Sequence, residues 1–381
     1  MRQKCGIASS RRVCSDRGSS SSSTARNIRS APPRTSPAAP RGAWFASTCE
    51  RAAIEGAMGA TTFTLGGSMR RNTALTCTLL AAAAATLAAR QGSHYHVIKR
   101  IPMGHVGADY IIVDPIGRRL YGIGDAVIDV DKDTVIGHVA NGGGGFAIAN
   151  ELHRGLVRNG VVFDLRTNQV TGTEDVKGDG IRYDPVSRRA FVWEDKDGWV
   201  VDMTTGKLEK KMMIGDGLET GVVDGRGKMF ANVEDKGAIE RFDTKALKID
   251  TVYTPVPGCG RAQGLAMDTT SRRLFMACDT NLVVVNADNG NVVTKIRVAS
   301  RADQNCFDPG TKLAFNPNRV DSTMTVVHED GPDQYSVVET VSTGGGARTC
   351  TLDEKTHKVY VFYYEGKDRA TANLFVAVLA P

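Results

Sequence analysis

One stretch of 35 residues, from Gly264 to Val298, constrains the fold more than any other feature of this chain. It contains four short runs of β-branched and other apolar residues, separated by turns rich in Asp, Asn, Ser, Thr and Gly. Runs of this length are typical of β-strands, and short turns of these residues are typical of antiparallel hairpins. The stretch therefore predicts a four-stranded antiparallel meander.

The meander recurs along the chain, and an acidic or amide residue ends the first strand of each copy. These seven residues, called the anchors below, are Asp114, Asn150, Asp184, Asp224, Asp268, Asp308 and Asp353. Their spacing of 34 to 45 residues brackets the period of a propeller blade, which is about 40 residues. The repeat therefore predicts an all-β fold, a seven-bladed β-propeller with four-stranded antiparallel blades.

The two ends of the repeat region complement each other. The last copy supplies three strands, the third of them over residues 373–378, before the chain ends at Pro381. An unmatched segment with strand-like alternation, residues 95–101, precedes the first anchor. We expect this N-terminal strand to complete the last blade and so to close the ring without a free gap.

The residues that precede the repeats have a different composition. Residues 1–68 are rich in Ser, Ala, Arg and Pro without periodicity, which predicts either a disordered leader or an upstream extension that is not translated. Residues 69–91 combine a basic start, an uncharged run and small residues, which is typical of a signal peptide. Met69, or failing that Met58, is then the initiator, and a long leader with an internal helix is the alternative.

The apolar run within residues 69–91 is shorter than the 20 or so residues of a membrane span. Residues 92–381 are therefore the predicted propeller, periplasmic or secreted, with no membrane span in the mature chain.

The net charge of +6 belongs to the leader: residues 92–381 alone contain 35 basic and 39 acidic residues. Binding of nucleic acid requires a basic surface, so we expect no nucleic-acid partner.

Four cysteines lie in the predicted propeller. Cys259 precedes the first strand of the fifth repeat and Cys278 ends the second, so a short loop predicts a disulfide in an oxidising compartment. Cys306 and Cys350 lie two and three residues before their anchors. In extended strands these positions point to opposite sheet faces, and we expect two buried thiols there.

From about residue 95 to its end, the chain resembles the YncE-type propellers built from YVTN repeats. The unit Asp-Pro, two residues, then Arg-Arg and an apolar pair occurs at Asp114 and at Asp184. The stretch 325–330 adds to the likeness, and residues 229–232 are nearest to the signature tetrapeptide. The resemblance implies export and a binding role, in some members linked to nucleic acid, which the charge balance here argues against.

Propellers bind ligands at the channel mouth, where each innermost strand begins. The residues five positions before the anchors are expected on that rim: Asp109, Gly145, Asp179, Glu219, Gln263, Asp303 and Arg348. Crowded carboxylates take up protons or recruit a cation unless a base such as Arg348 offsets them. A divalent cation, Ca²⁺ above all, is then possible at Asp109, Asp179, Glu219 and Asp303. The alternative is a solvated polar rim without a ligand.

The sequence favours a monomeric binding or scaffold module, with a small polar ligand or a protein partner, over an enzyme. One alternative is a metal-dependent hydrolase of the lactonase kind, with Asp179, Glu219 and Asp303 around the metal. Another is an accessory subunit of a dehydrogenase, whose partner would have to supply the redox cofactor. The chain has neither the Cys-x-x-Cys-His motif of covalent haem nor a Gly-x-Ser-x-Gly nucleophile elbow.

Overall fold

A computed structural model describes residues 94–253, 256–299, 302–366 and 371–381. The predicted leader and signal peptide, residues 1–68 and 69–91, lie outside these ranges. The described residues form 28 strands in seven four-stranded antiparallel sheets, so the predicted seven-bladed β-propeller is confirmed. No helix in these ranges is long and apolar enough to cross a membrane.

The blades follow one another along the chain, and the strands of each run from the channel outwards. Blade one has β2 (Ala108–Asp114), β3 (Arg119–Ile123), β4 (Ala126–Asp129) and β5 (Thr134–His138). Blade two has β6 (Phe146–Ala149), β7 (Arg154–Val157), β8 (Val161–Asp164) and β9 (Val170–Thr173). Blade three has β10 (Gly180–Asp184), β11 (Arg189–Glu194), β12 (Asp197–Asp202) and β13 (Lys207–Met213).

The remaining blades repeat this order, and short 3₁₀ helices occur at Asn150–Leu152 and Glu234–Lys236. Blade four has β14 (Leu218–Val223), β15 (Lys228–Val233), β16 (Ala238–Asp243) and β17 (Lys248–Tyr253). Blade five has β18 (Ala262–Asp268), β19 (Arg273–Cys278), β20 (Asn281–Asn286) and β21 (Val292–Arg297). Blade six has β22 (Cys306–Asp308), β23 (Leu313–Asn318), β24 (Thr323–Gly331) and β25 (Gln334–Ser342).

The seventh blade closes the ring as the sequence predicts. Its strands are β26 (Cys350–Asp353), β27 (Lys358–Glu365), β28 (Asn373–Ala380) and, outermost, the N-terminal β1 (His96–Gly104). β1 and β28 pair antiparallel, from His96 opposite Ala380 to Gly104 opposite Leu374. The first and last parts of the propeller are therefore held in one sheet by main-chain hydrogen bonds.

The core of the molecule lies between the blades. The described residues contain seven clusters of buried apolar side chains, and each cluster joins two neighbouring blades. Trp193 of blade three shows the pattern: it is 1% exposed, packs against Leu218 of blade four, and donates its indole N–H to the Glu219 carbonyl at 3.0 Å. The relative position of the blades is thus set by apolar packing.

Both pairs of propeller cysteines form disulfides. The predicted bond between Cys259 and Cys278 is confirmed, with 5.2 Å between their Cα atoms. The prediction of free thiols at Cys306 and Cys350 is wrong, because they are bonded across 5.9 Å between Cα atoms. The two cysteines lie on the innermost strands of neighbouring blades, β22 and β26, beside the parallel pair Gln304 and Thr349. The prediction assumed that two cysteines must point to the same face of a sheet, and this condition does not apply to a bond between two different sheets.

Candidate functional site: a cavity at the channel mouth

The predicted rim residues lie where the innermost strands begin, at one end of the propeller channel. The structure gives their charges specific partners. Arg348 donates its Nε hydrogen to Asp303 Oδ2, and the Asp303 amide donates to the Arg348 carbonyl at 3.0 Å. Asp303 is only 4% exposed. Arg348 therefore offsets one of the four carboxylates.

Arg158, which the sequence analysis did not single out, pairs with two more. It lies in the turn between β7 and β8 and extends over the glycine run of blade two. Its Nη1 is 2.9 Å from Asp109 Oδ2 and 2.9 Å from the main-chain oxygen of Asp179, and it also pairs with the Asp179 carboxylate. A Cβ atom at Gly144 would lie 2.2 Å from Arg158 Nε, and Gly144 has a φ of +84°. Glycine there leaves room for the guanidinium.

Glu219, the fourth rim carboxylate, forms no ion pair with a basic side chain in the described residues. Tyr110 Oη donates a hydrogen bond to Glu219 Oε1 at 2.8 Å. These residues belong to blades one and four, so the bond crosses the channel. Burial raises the pKa of Glu219 to about 7; the hydrogen bond from Tyr110 opposes this, and the charges of Glu234, Asp179 and Asp303 add to it.

Asp109 is the second rim carboxyl with a raised pKa. Burial raises its pKa to about 6, and the neighbouring Asp179 adds to the shift. The charges of Arg158 and Arg348 oppose it. Asp109 and Glu219 therefore both titrate near neutral pH, whereas ordinary surface carboxylates titrate at about pH 4.

Two threonine hydroxyls add further links beneath the rim. Thr220 Oγ1 lies 2.6 Å from the Gln263 carbonyl oxygen and 3.3 Å from that of Asp303. Thr349 Oγ1 donates to the Asp109 carbonyl at 2.8 Å. Together with the Tyr110 bond, these contacts tie blades one, four, five, six and seven to one another at the channel mouth.

The open space at the mouth is a cavity of about 570 Å³ beside the channel axis. It lies over blades two, three and four. Its lining comprises Arg158, Lys177, Gly178, Asp179, Glu194, Asp195, Asp216, Gly217, Leu218, Glu219, Val233, Glu234, Asp235 and Lys236. Seven carboxylates face three basic side chains, and this lining, called the acidic cavity below, is therefore strongly negative.

Some of the lining charges are already paired and others are not. Lys236 and Lys196 bind Asp216, and Arg261 lies 2.6 Å from Glu234. Glu194, Asp195 and Asp235 are exposed and make no ion pair within the part of the chain that the structure describes. The acidic cavity thus retains free negative charge at its wall.

Of the predicted rim residues, Asp179 and Glu219 line the acidic cavity, whereas Asp109, Gly145, Gln263, Asp303 and Arg348 do not. Gln263 contributes its main-chain carbonyl to Thr220. In the described ranges, no three His, Cys, Asp or Glu side chains come together as a group that could hold a metal ion. The guanidinium of Arg158 lies between Asp109 and Asp179, where a cation shared by them would bind.

Much of the additional lining comes from the turns between the second and third strands of blades two, three and four, and the rest from the loops that lead into β10 and β14. A signal for these residues exists in the sequence. In an antiparallel blade the end of the second strand lies beside the start of the first, so charged turns after β7, β11 and β15 belong at the same mouth. Tyr110 has no such signal, because its role depends on a partner on the far side of the channel.

No protein-family model and no curated protein matches the chain. Solved structures do match. One described as the crystal structure of RRP9 WD40 repeats has 8% identity and a TM-score of 0.60, over 76% of this chain and 98% of that chain. A chain of the mitotic checkpoint complex has 10% identity and a TM-score of 0.59, over 76% and 93%. A Kuenenia stuttgartiensis hydrazine synthase chain has 15% identity and a TM-score of 0.60, over 76% and 98%. At these identities the likeness shows the propeller fold.

Proposed function

We propose that this protein is an exported binding module whose acidic cavity takes a small polar ligand with a positive charge. The observation that carries the proposal is the lining, in which seven carboxylates outnumber three bases around about 570 Å³. A cleft lined by one sign of charge raises the local concentration of ligands of the other sign. The volume is within the range of small-molecule sites, which is about 300 to 1,000 Å³.

Export is supported by two observations. Both disulfides of the propeller are of a kind that persists in oxidising compartments, and residues 69–91 have the composition of a signal peptide. We assign the protein to the periplasm or the medium on this basis. The likeness to YncE-type propellers is part of the same proposal.

Glu219 gives the binding a pH dependence. Its pKa of about 7 means that the free protein holds a proton on this carboxyl in mild acid. A cation binds the ionised form, so its affinity rises with pH until Glu219 is fully ionised. Between pH 6 and pH 8 the ionised fraction grows about tenfold, and we expect a similar gain in affinity.

The test is calorimetric titration of the EDTA-treated protein with Ca²⁺ and, separately, with 1,4-diaminobutane as an organic dication. Glu219→Gln should weaken binding at least tenfold at pH 8 and remove its pH dependence, because the carboxylate is gone. Glu209→Gln is the matched control, since Glu209 pairs with Arg189 on the outside of blade three. The proposal would be rejected if neither probe bound, or if Glu219→Gln and Glu209→Gln bound the probe equally well.

The two probes separate a metal site from an organic-cation site. If Ca²⁺ binds, Asp109→Asn, Asp179→Asn and Asp303→Asn test whether the four rim carboxylates share it. Loss of Ca²⁺ binding in all three variants would support a shared metal. Loss at Asp179 alone would place the cation in the acidic cavity, because Asp179 lines it and the other two do not.

A second candidate is hydrolysis at the same mouth. A carboxyl with a pKa of about 7, hydrogen-bonded to a tyrosine, has the properties of a general base. In the lactonase alternative, Asp179, Glu219 and Asp303 would hold a divalent metal that activates water. Hydrolysis of simple lactones that is lost with EDTA and in Glu219→Gln would favour this candidate, and binding without turnover would favour the binding module.

A further inference from the structure

A second charged position lies deeper in the channel than the acidic cavity. Arg182 is on β10, the innermost strand of blade three, three residues beyond the rim residue Asp179. Three residues of a strand span about 10 Å. The Arg182 side chain reaches the Gly221 carbonyl on the innermost strand of blade four and also lies near Tyr110 of blade one. Contacts with the neighbouring blade four and with the more distant blade one place the guanidinium inside the channel.

Arg182 is the exception among equivalent positions. The residues two places before the other anchors are uncharged: Ile112, Ile148, Val222, Ala266, Cys306 and Thr351. The fold therefore does not require a charge at this level of the channel. Arg182 is half-buried, and a partly desolvated positive charge is more favourable when an anion pairs with it.

The hydrogen bonds of Arg182 leave much of the guanidinium available. Its Nε donates to the Gly221 carbonyl, and Nη1 donates to the Ile181 carbonyl at 3.2 Å. A guanidinium carries five N–H groups, so three have no protein acceptor within the described residues. No carboxylate in these ranges pairs with it. Burial lowers the pKa of Arg182, and only the Tyr110 phenol opposes that shift.

We propose that the channel contains a binding site for a small monovalent anion, which the guanidinium of Arg182 binds. The free N–H groups form a planar fork that matches two oxygens of a carboxylate or nitrate ion. The anion would supply the negative charge that the protein does not. This site is separate from the acidic cavity and takes ligands of the opposite charge, so it does not depend on the proposed function.

The test compares thermal unfolding of the full protein in sodium acetate, nitrate and chloride. Wild type should show a saturable rise in Tm, roughly 4 °C when the anion is at 100 times its Kd. Arg182→Met, which preserves most of the volume, should lose this rise. Arg189→Met, on the next strand, removes an arginine that already pairs with Glu209 and should keep it. Equal salt responses of wild type and Arg182→Met, or no saturable rise in wild type, would overturn the proposal.

Two further measurements keep the proposal testable if Arg182→Met fails to fold. Arg182→Lys retains the charge but loses the planar fork, so the affinity for acetate and nitrate should fall about tenfold relative to the affinity for chloride. Crystals of the wild-type protein grown with bromide should show an anomalous peak within hydrogen-bond distance of the Arg182 guanidinium. A bromide peak elsewhere only, as from an adventitious ion, would count against the site.

Discussion

At the scale of single residues, the anchors do two things. Six of the seven lie at or just after the end of an innermost strand and accept main-chain hydrogen bonds from the turn that follows, as Asp114 does from Ile116 and Gly117 at 2.9 Å. The seventh, Asn150, begins a 3₁₀ helix instead. At three anchors an arginine or histidine of the next blade then binds the carboxylate: Arg272 binds Asp224, His357 binds Asp308 and Arg118 binds Asp353. The donor residues are four positions after their own anchors, and all three have φ of +57°. One local motif thus also links neighbouring blades.

The ion pair between Arg118 and Asp353 should be a large single contribution to stability. Asp353 is fully buried; burial would raise its pKa, but hydrogen bonds from Arg118 and Thr356 outweigh this and hold the pKa at about 2. Arg118→Met leaves a buried carboxylate unpaired, and we expect a loss of about 3 kcal/mol in the free energy of unfolding at pH 7. Urea denaturation measures it.

The control is Arg166→Met, since Arg166 pairs with Asp164 at the surface, where solvent screens the two charges, and its loss should cost much less. The effect of pH follows from the sign of the shift. Because the folded pKa of Asp353 is below its ordinary value of 3.8, its contribution is complete above that value and is lost as the pH falls towards 2. The deficit of Arg118→Met should therefore shrink in acid. Equal losses for the two variants would contradict the assignment.

At the scale of strands, the sequence pattern and the structure agree where hydrogen bonds are local. The hairpin β18–β19 pairs Asp268 with Arg273 as its turn residues predict, and the same register recurs as Asp184 with Arg189 and Asp353 with Lys358. The second blade departs from it, because a 3₁₀ helix at Asn150–Leu152 replaces the turn. The contacts between innermost strands follow no such rule, and the disulfide between β22 and β26 is the main example.

Removal of that disulfide provides a test at the level of the strands. Cys306 and Cys350 are 44 residues apart, and the chain-entropy relation gives about 4 kcal/mol for a loop of this size. Cys306→Ala with Cys350→Ala should lower the free energy of unfolding by this order, measured in guanidinium chloride. The other bridge encloses a shorter loop of 19 residues, so its removal should cost about 3 kcal/mol. Free thiols at Cys306 and Cys350 in the unreduced, denatured protein would show that the bridge does not form.

At the scale of the whole molecule, stability depends on the closed ring. Seven apolar clusters join neighbouring blades, and the pairing of β1 with β28 completes the last of the blades. Tyr95 and Ile101 on this N-terminal segment are 4% and 6% exposed. Tyr95 also contacts blade six, where its ring meets Phe315 edge-on at 4.9 Å between centroids. The N-terminal segment therefore connects two blades as well as completing one.

A chain that begins at residue 105 lacks β1 and should lose this closure. It exposes the edge of β28, a strand that is largely buried in the intact ring, and exposed apolar edges promote aggregation. We expect its Tm to fall by more than about 10 °C, because the apolar faces of Tyr95 and Ile101 are lost together with the strand pairing. The control is a chain that begins at residue 94. Equal Tm values and equal solubility of the two chains would contradict a role of β1 in closure.

The sequence by itself determined the repeat, the number of blades, the strands, the closure by the N-terminal strand and the bond between Cys259 and Cys278. Each of these depends on a local pattern or on an unpaired strand at the chain ends, so it can be read along the chain. The rim positions were also within reach, since equal offsets from the anchors place residues at the same end of the channel.

Only the tertiary structure decided which of these residues meet. Tyr110 and Glu219 are 109 residues apart, and Arg158 lies 49 residues from Asp109. Their contacts depend on how neighbouring blades pack and on which side chains extend across the channel. Hydrogen bonding along a hairpin does not encode this, because blade packing is set by apolar side chains without a fixed register. For the same reason the cavity lies beside the channel axis, although the rim positions recur regularly in the sequence.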